Sequence, residues 1–333
     1  MGVVHGDISG KGANAGFLID SYKNMLLIRR VEEKIAELYS EREMRCPVHL
    51  SIGQEAVAVG VCMNLSKEDT VFSNHRAHSH YIAKGGDINR MLAELYGKAE
   101  GCSKGRGGSM HLIDLSANFI GATPIVGGTI PLTAGSALAS KFQNKNNVSV
   151  AFFGDSAVEE GVFSETVNFS SLHKLNVLFI CENNLYSVLT PLKDRQPQRE
   201  IFKIAQGHDI LACQADGNDV LKVCEAAKEA LRHIKSGKGP VLIECMTYRW
   251  LEHCGPNDDV NLGYRTEEEV IEWKKKDPIK MLKEKMIKEK IIGNDLLEKI
   301  ELEILDKVNN AVKFAKNSPF PEKESLSKHV YAE

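Results

Sequence analysis

Residues 148–188 read VSVAFFGDSAVEEGVFSETVNFSSLHKLNVLFICENNLYSV. Val148, Val150, Ala151, Phe152 and Phe153 form an apolar run that stops at Gly154-Asp155, as a strand buried on both faces stops before its turn. Val158, Val162, Thr166 and Phe169 then recur at helical spacing, with Glu159 and Glu160 placed in the first turn, where the helix dipole favours acids. Residues 175–181 are a second apolar run, closed by Glu182-Asn183-Asn184. The unit predicted is strand, helix, strand. It puts Asp155 and Asn184 at the carboxyl ends of two parallel strands, the edge where open α/β sheets bind ligands.

A carboxylate and a neutral amide oxygen make half a shell for a hard, octahedral cation such as Mg²⁺, whose other positions go to water and phosphate oxygens. Asp155 and Asn184 fit that role. The turn Ser156-Ala157 can aim backbone N–H groups at a phosphate. Gly-Asp and Asn-Asn each read alone as an ordinary turn or loop. Together, each at a strand end, they point to a metal and phosphate site.

Gly154-Asp155-Ser156 followed by Asn183-Asn184 resembles the thiamine diphosphate motif, with serine in place of the last residue of its usual Gly-Asp-Gly. The resemblance widens through His49-Leu50-Ser51-Ile52-Gly53-Gln54-Glu55-Ala56, His75-Arg76-Ala77-His78, Lys104-Gly105-Arg106-Gly107-Gly108-Ser109-Met110-His111, Ile125-Val126-Gly127 and Thr247-Tyr248-Arg249. In that order these stretches are similar to the alpha subunit of the pyruvate, acetoin and branched-chain 2-oxo acid dehydrogenases, over roughly residues 16–316.

The resemblance implies a doubly wound, mainly parallel α/β sheet with helices on both faces, the diphosphate-binding half of the thiamine diphosphate fold, with helical N- and C-terminal extensions. It implies that Arg76, beside His75, grips the diphosphate, and that the Pro124 carbonyl and Val126 N–H read the aminopyrimidine ring. His253 touches the diphosphate and lines the channel, and His49 stands at its mouth on the substrate side. His49 and His253 are thus the catalytic candidates. His75, Arg76, Pro124, Val126, Asp155, Ser156, Ala157, Asn184 and His253 are the cofactor contacts, and Asp155, Asn184 and Tyr186 the metal ligands. The family usually has tyrosine at the position of His75, often glycine at Pro124, and commonly a second histidine at Leu251.

The cofactor is an electron sink for decarboxylation and needs a glutamate against its aminopyrimidine. No second α/β half is legible in these residues, so the resemblance implies a separate beta subunit and an α₂β₂ heterotetramer. It implies a dehydrogenase that decarboxylates a pyruvate-like 2-oxo acid or cleaves acetoin and hands the acyl group to a lipoyl acyltransferase. A two-chain carboligase or transketolase-like enzyme acting on sugar or aldehyde acceptors is the alternative, motivated by His75, Ser156, Leu251 and the loop Cys254-Gly255-Pro256-Asn257-Asp258-Asp259. A non-catalytic partner is the third reading; the intact Asp155, Asn184, Arg76 and His253 stand against it.

Composition agrees with an enzyme subunit. The chain has 333 residues, 43% hydrophobic and 26% charged, with a net charge of −3. That balance gives no reason to expect nucleic acid or an anionic membrane as partner. Eight scattered cysteines without a CxxC pair suit a reducing cytoplasm, and two aspartates without arginine in the first twenty residues argue against a leader peptide. No apolar run reaches membrane-spanning length.

The remaining chain divides by pattern. Residues 1–15 are a glycine-rich flexible arm, 16–316 a single α/β domain with C-terminal helices, and 317–333 a polar tail. Helices are expected over 17–43 (stripe Leu18, Tyr22, Met25, Leu26, Arg29, Glu33, Ala36, Tyr39), 51–65, 88–96, 131–142 and 220–235, and strands over 69–73, 210–215 and 240–246. Residues 265–316 read as helical and charged, and 189–198 as a polar surface loop. The glycine-dense 101–108 reads either as a phosphate cradle or as a packing segment. Residues 250–263 lack apolar pattern, so the loop carrying His253 is expected to be mobile without cofactor. His253, Cys254 and Asp258 also raise a zinc site, but no spacing here matches one.

Overall fold

The computed structural model describes residues 15–328 and Val330; apart from Ala15, the expected N-terminal arm lies outside them, as does the end of the tail. The first half runs α1 (Ala15–Tyr39), α2 (Glu55–Cys62), β1 (Thr70–Ser73), α3 (His78–Ala83), α4 (Ile88–Leu95), β2 (Phe119–Ala122), α5 (Thr129–Phe142) and β3 (Ser149–Gly154). Next come α6 (Gly161–Leu172), β4 (Val177–Asn183), β5 (Tyr186–Ser187), β6 (Thr190–Pro191), α7 (Phe202–Gln206) and β7 (Leu211–Asp216). The chain ends with α8 (Val220–Lys235), β8 (Val241–Met246), α9 (Glu267–Lys274), α10 (Pro278–Lys288) and α11 (Asn294–Asn317).

Six strands form one parallel sheet in the order β2-β1-β3-β4-β8-β7. The chain leaves β1 for β2 on one side and returns to β3 on the other, so the order reverses between β1 and β3, where such sheets open a crevice. Side chains of a strand alternate between faces, and both faces here are covered. Val150 and Phe152 of β3 and Leu178 and Ile180 of β4 enter the core beneath α1, α2 and α8. Ala151 and Phe153, with Val177, Phe179 and Cys181, enter the core beneath α5, α6 and α7. An unbroken apolar run is what this geometry requires.

Several boundaries differ from the expectation. The chain after β3 does not enter a helix at once: Asp155–Glu159 is a 3-10 turn, and α6 begins only after Glu160. The buried face of α6 is Phe163, Thr166, Val167 and Ser170, while Phe169 is exposed, because the inserted turn rotates the register of the helix. In α1 the buried stripe includes Ile28, Val31, Glu32 and Ile35, and Glu33 faces solvent. Glu32 is tolerated inside because it accepts the Ser51 N–H and hydroxyl, each at 2.9 Å. α2 begins at Glu55 rather than at residue 51, since 49–54 is a buried turn. α8 spans the residues expected, with Asp219 accepting from Leu221 N as its cap.

The glycine-dense segment has a settled occupant. The Glu94 carboxylate accepts from the backbone N–H groups of Ser103 (2.8 Å), Gly105 (2.8 Å), Gly107 (2.7 Å) and Gly108 (3.1 Å). A phosphate would find these donors already taken, so the cradle reading is overturned. A Cβ on Gly101 would meet the Glu94 carboxylate at 2.2 Å, and Gly105 sits at φ +74° against the Gly97 carbonyl. The tail is not free either as far as it is described. Arg106 donates to the Ser325 carbonyl, Ala99 N to the Pro319 carbonyl, and Lys98 lies 3.9 Å from the centre of the Phe320 ring. No helix among the described residues is long and apolar enough to cross a membrane.

Replacing Glu94 with alanine strands these partly buried donors. Urea unfolding of Glu94→Ala is expected to show a loss of roughly 2–4 kcal/mol; a change below measurement error would mean that solvent satisfies the loop.

Candidate active site

The carboxyl ends of β1, β3 and β4 meet at one cavity of about 200 Å³. Its wall includes His49, His75, Arg76, Pro124, Val126, Asp155, Ser156, Ala157, Asn184, Tyr186 and His253. Every residue expected to be a catalytic, cofactor or magnesium contact is therefore brought to one place. Sheet register does most of this: Gly154 pairs with Glu182, so Asp155 and Asn184 follow neighbouring strand ends.

The two asparagines part company. Asn183 donates to Glu244 of β8 (2.8 Å) and accepts from Leu185 N, so it serves the sheet. Asn184 lines the cavity, held by Gln54 (3.1 Å) and by Tyr186 N (3.2 Å). Leu185 between them is at φ +73°, an uncommon backbone state for a residue with a side chain and one that clusters at functional sites. The Tyr186 hydroxyl donates to Glu269 of α9 at 2.8 Å. His80 joins β1 to β4, bridging the Ser73 hydroxyl (2.7 Å) and the Glu182 carboxylate (3.2 Å).

Asp155 is only 2% exposed. Burial pushes its pKa up, and Arg195, paired with it, pulls the other way. Arg195 also pairs with Glu159, and Gln196 donates to the Asp155 carbonyl (3.1 Å) and to Glu159 (2.7 Å). Thus the stretch expected to be a surface loop is bound onto the turn that carries Asp155. No periodicity marks Arg195 or Gln196 in the sequence, and Gln54 was visible only as part of a motif.

Across the cavity, Arg76 is buried and donates to the carbonyls of Leu50 (2.5 Å) and His253 (3.2 Å). Burial, then the neighbouring Arg249, lowers its pKa to about 10. Three imidazoles gather beside it: His49 and His75 have ring centres 4.5 Å apart, His49 and His253 5.0 Å, and His75 and His253 5.2 Å. Burial, then Arg76, lowers their pKa values to about 2 for His49, about 4 for His75 and about 3 for His253. All three are neutral at pH 7. His49 lies in the turn before α2, not at the helix start, and its buried Nδ1 has no hydrogen-bond partner among the described residues.

The zinc grouping raised from the sequence is not assembled. Cys254 lines a separate cavity and Asp258 accepts from Val260 N, whereas the ring nitrogens of His49, His75 and His253 lie within 4.8 Å of one another. The 250–263 loop, expected to lack apolar anchors, has some, since Trp250 and Leu251 pack against the main core and Val260 against the Tyr186–Tyr248 cluster, and ionic ones beside them. Buried Asp259 accepts from Arg265 (2.8 Å) and Arg249 (3.3 Å), and Gly255 N donates to the Val48 carbonyl. Burial would raise the Asp259 pKa, but hydrogen bonds from Tyr264 and Arg265 hold it below the usual carboxylate range.

Chemically, the cavity offers two oxygen-donor side chains on one side and a permanent cation with three neutral imidazoles on the other. The dehydrogenase E1 component model matches residues 23–324. The alpha subunit of acetoin:2,6-dichlorophenolindophenol oxidoreductase of Bacillus subtilis (strain 168) is 41% identical over 311 residues, 93% of this chain and 92% of that one. The pyruvate dehydrogenase E1 component subunit alpha of Rickettsia felis is 38% identical over 313 residues, 94% and 95% of the two chains. The human testis-specific mitochondrial form is 38% identical over 312 residues, 93% of this chain and 79% of that one.

The depressed imidazoles make acid stability a test of this geometry. Between their ordinary value of 6.5 and the lowered values, the unfolded chain binds protons that the folded chain refuses. Stability is expected to be level above about pH 7 and to fall as pH drops from 6.5 towards 4. His75→Phe should flatten that fall by about one proton in melts across pH 5 to 8; an unchanged slope would remove His75 from the cluster.

Proposed function

The chain belongs to the dehydrogenase E1 component family, and from that premise we propose that it is the alpha subunit of a thiamine diphosphate-dependent 2-oxo acid dehydrogenase. Its substrate is a pyruvate-like 2-oxo acid or acetoin, and its acyl product passes to a lipoyl acyltransferase. The observation that carries the reading is the placement of Asp155 and Asn184 at adjacent strand ends, facing one cavity with Arg76 and His253. Residues 16–316 act as the cofactor-binding unit, and a beta subunit in an α₂β₂ assembly brings the glutamate that faces the aminopyrimidine.

The donor set fits the cofactor and Mg²⁺. A buried carboxylate with a buried amide is hard-oxygen chemistry, and the orphaned His49 Nδ1 is a polar group waiting for a partner. Asp155, Asn184 and Tyr186 would hold the metal. Arg76, His75, His253 and the turn Ser156-Ala157 would hold the diphosphate, and Pro124 and Val126 the aminopyrimidine. When bound, thiamine diphosphate supplies the electron sink for loss of the carboxylate. Arg76 contributes fixed positive charge, already aimed by two carbonyls. His49 stays neutral and orients substrate by hydrogen bonding; bound anionic charge would offset Arg76 and make its protonation easier, against the burial that is the larger cause of its lowered pKa. His75 favours the second reading, a two-chain carboligase, because it adds an imidazole to a wall that would suit an oxygen-rich acceptor.

Copurification with a beta-like chain, followed by a screen of 2-oxo acids for carbon dioxide release with an artificial electron acceptor, tests the assignment. The assembled pair is expected to turn over and the single chain not; turnover by the single chain would sink the two-subunit reading. Calorimetry should find thiamine diphosphate binding abolished in Asp155→Ala. His49→Ala should lower kcat with cofactor affinity nearly unchanged, whereas His253→Ala should weaken the cofactor. Equal loss of cofactor in both histidine variants would put His49 in the cofactor site.

A further inference from the structure

Arg195 and Gln196 form a strap across the turn that follows β3. Arg195 is 10% exposed at its side chain, pairs with Asp155 and Glu159, and donates from Nε to the Thr190 carbonyl at 3.2 Å. Gln196 reaches the Asp155 carbonyl and Glu159 from beside it. Among the described residues Arg195 is the one salt-bridge partner of Asp155. A carboxylate this deeply buried is strongly disfavoured without a counter-charge, and Arg195 supplies it. A guanidinium and a divalent cation on the same carboxylate repel each other, most strongly where water is scarce. Sharing Asp155 is therefore costly even with Glu159 paired to Arg195, and the cost falls when more negative charge arrives.

We propose that Arg195 is a hand-over cation: it neutralises Asp155 in the metal-free chain, keeps bare divalent ions out, and yields only when a diphosphate brings charge enough for both. Gln196 and Glu159 hold the strap so that Arg195 can leave Asp155 and keep an anionic partner. Metal and diphosphate binding are coupled as a result, each raising the affinity of the other by the same factor. The inference rests on the reading of Asp155 as a metal ligand.

Mn²⁺ titrated into the assembled alpha–beta complex, with free ion read by electron paramagnetic resonance, tests it in the absence and presence of thiamine diphosphate. Arg195→Met is expected to bind Mn²⁺ at least about tenfold more tightly than the unmodified chain when cofactor is absent, a change of about 1.4 kcal/mol. The factor by which thiamine diphosphate tightens Mn²⁺ binding should shrink correspondingly. Equal or weaker Mn²⁺ binding by Arg195→Met without cofactor overturns the proposal. Arg195→Gln, which keeps a donor without the charge, carries the same test if the methionine variant does not fold. Asp155→Ala separates the two readings. If it retains cofactor-dependent Mn²⁺ binding, the metal assignment is wrong and the hand-over falls with it. If it loses that binding while Arg195→Met shows no gain, the hand-over alone is wrong.

Discussion

The parallel pairing of β3 with β4 is the constraint on which the rest of the site depends. Gly154 lies opposite Glu182, and beyond them come Asp155, one step past Gly154, and Asn184, two steps past Glu182, both facing the cavity. A slip of β3 by one residue would turn Phe152 towards the opposite core and carry Asp155 away from Asn184. Burial on both faces forbids that slip, because each strand has its apolar side chains divided between two filled cores. The chemistry of the site is thus held in register by packing that lies well behind it.

Charge is the second organising principle. Arg76, Arg249 and Arg265 are buried, and each is held by carbonyls or by Asp259. Burial, with Arg76 adding to it, keeps His49, His75 and His253 neutral, and Arg249 adds a further push at His253. A cavity of that kind suits an anionic guest, since its arrival relieves repulsion among the cations and makes protonation of the imidazoles easier. On the opposite wall Asp155 meets Arg195, delivered by the chain beyond β6.

The same logic explains the segment that looked most like a phosphate loop. Successive backbone N–H groups make an anion nest whatever the anion is. Here α4 places its own Glu94 there, so a motif that signals ligand binding from its glycines is spent on holding the chain. The buried Glu32 and Asp259 are used likewise, each an internal anion that ties a loop to a helix or to an arginine pair.

By itself the sequence determined the alternation of strands and helices, the strand ends at Asp155 and Asn184, and the family, because these rest on local patterns: an apolar run of strand length, a helical stripe, a motif in fixed order. Strand existence was legible since a strand covered on both faces must be continuously apolar, as residues 148–153 are. Where α6 begins, and which of Val162, Phe163 and Phe169 it buries, was not, because a single 3-10 turn after Gly154 shifts the helical register with no mark in composition. Only the tertiary structure decided that Arg195 and Gln196 reach Asp155, that Gln54 holds Asn184, and that three histidines from distant segments share one field. Those contacts join residues far apart in the chain, and the partner of a buried charge is chosen by what the fold brings within a few ångströms, which no local pattern encodes.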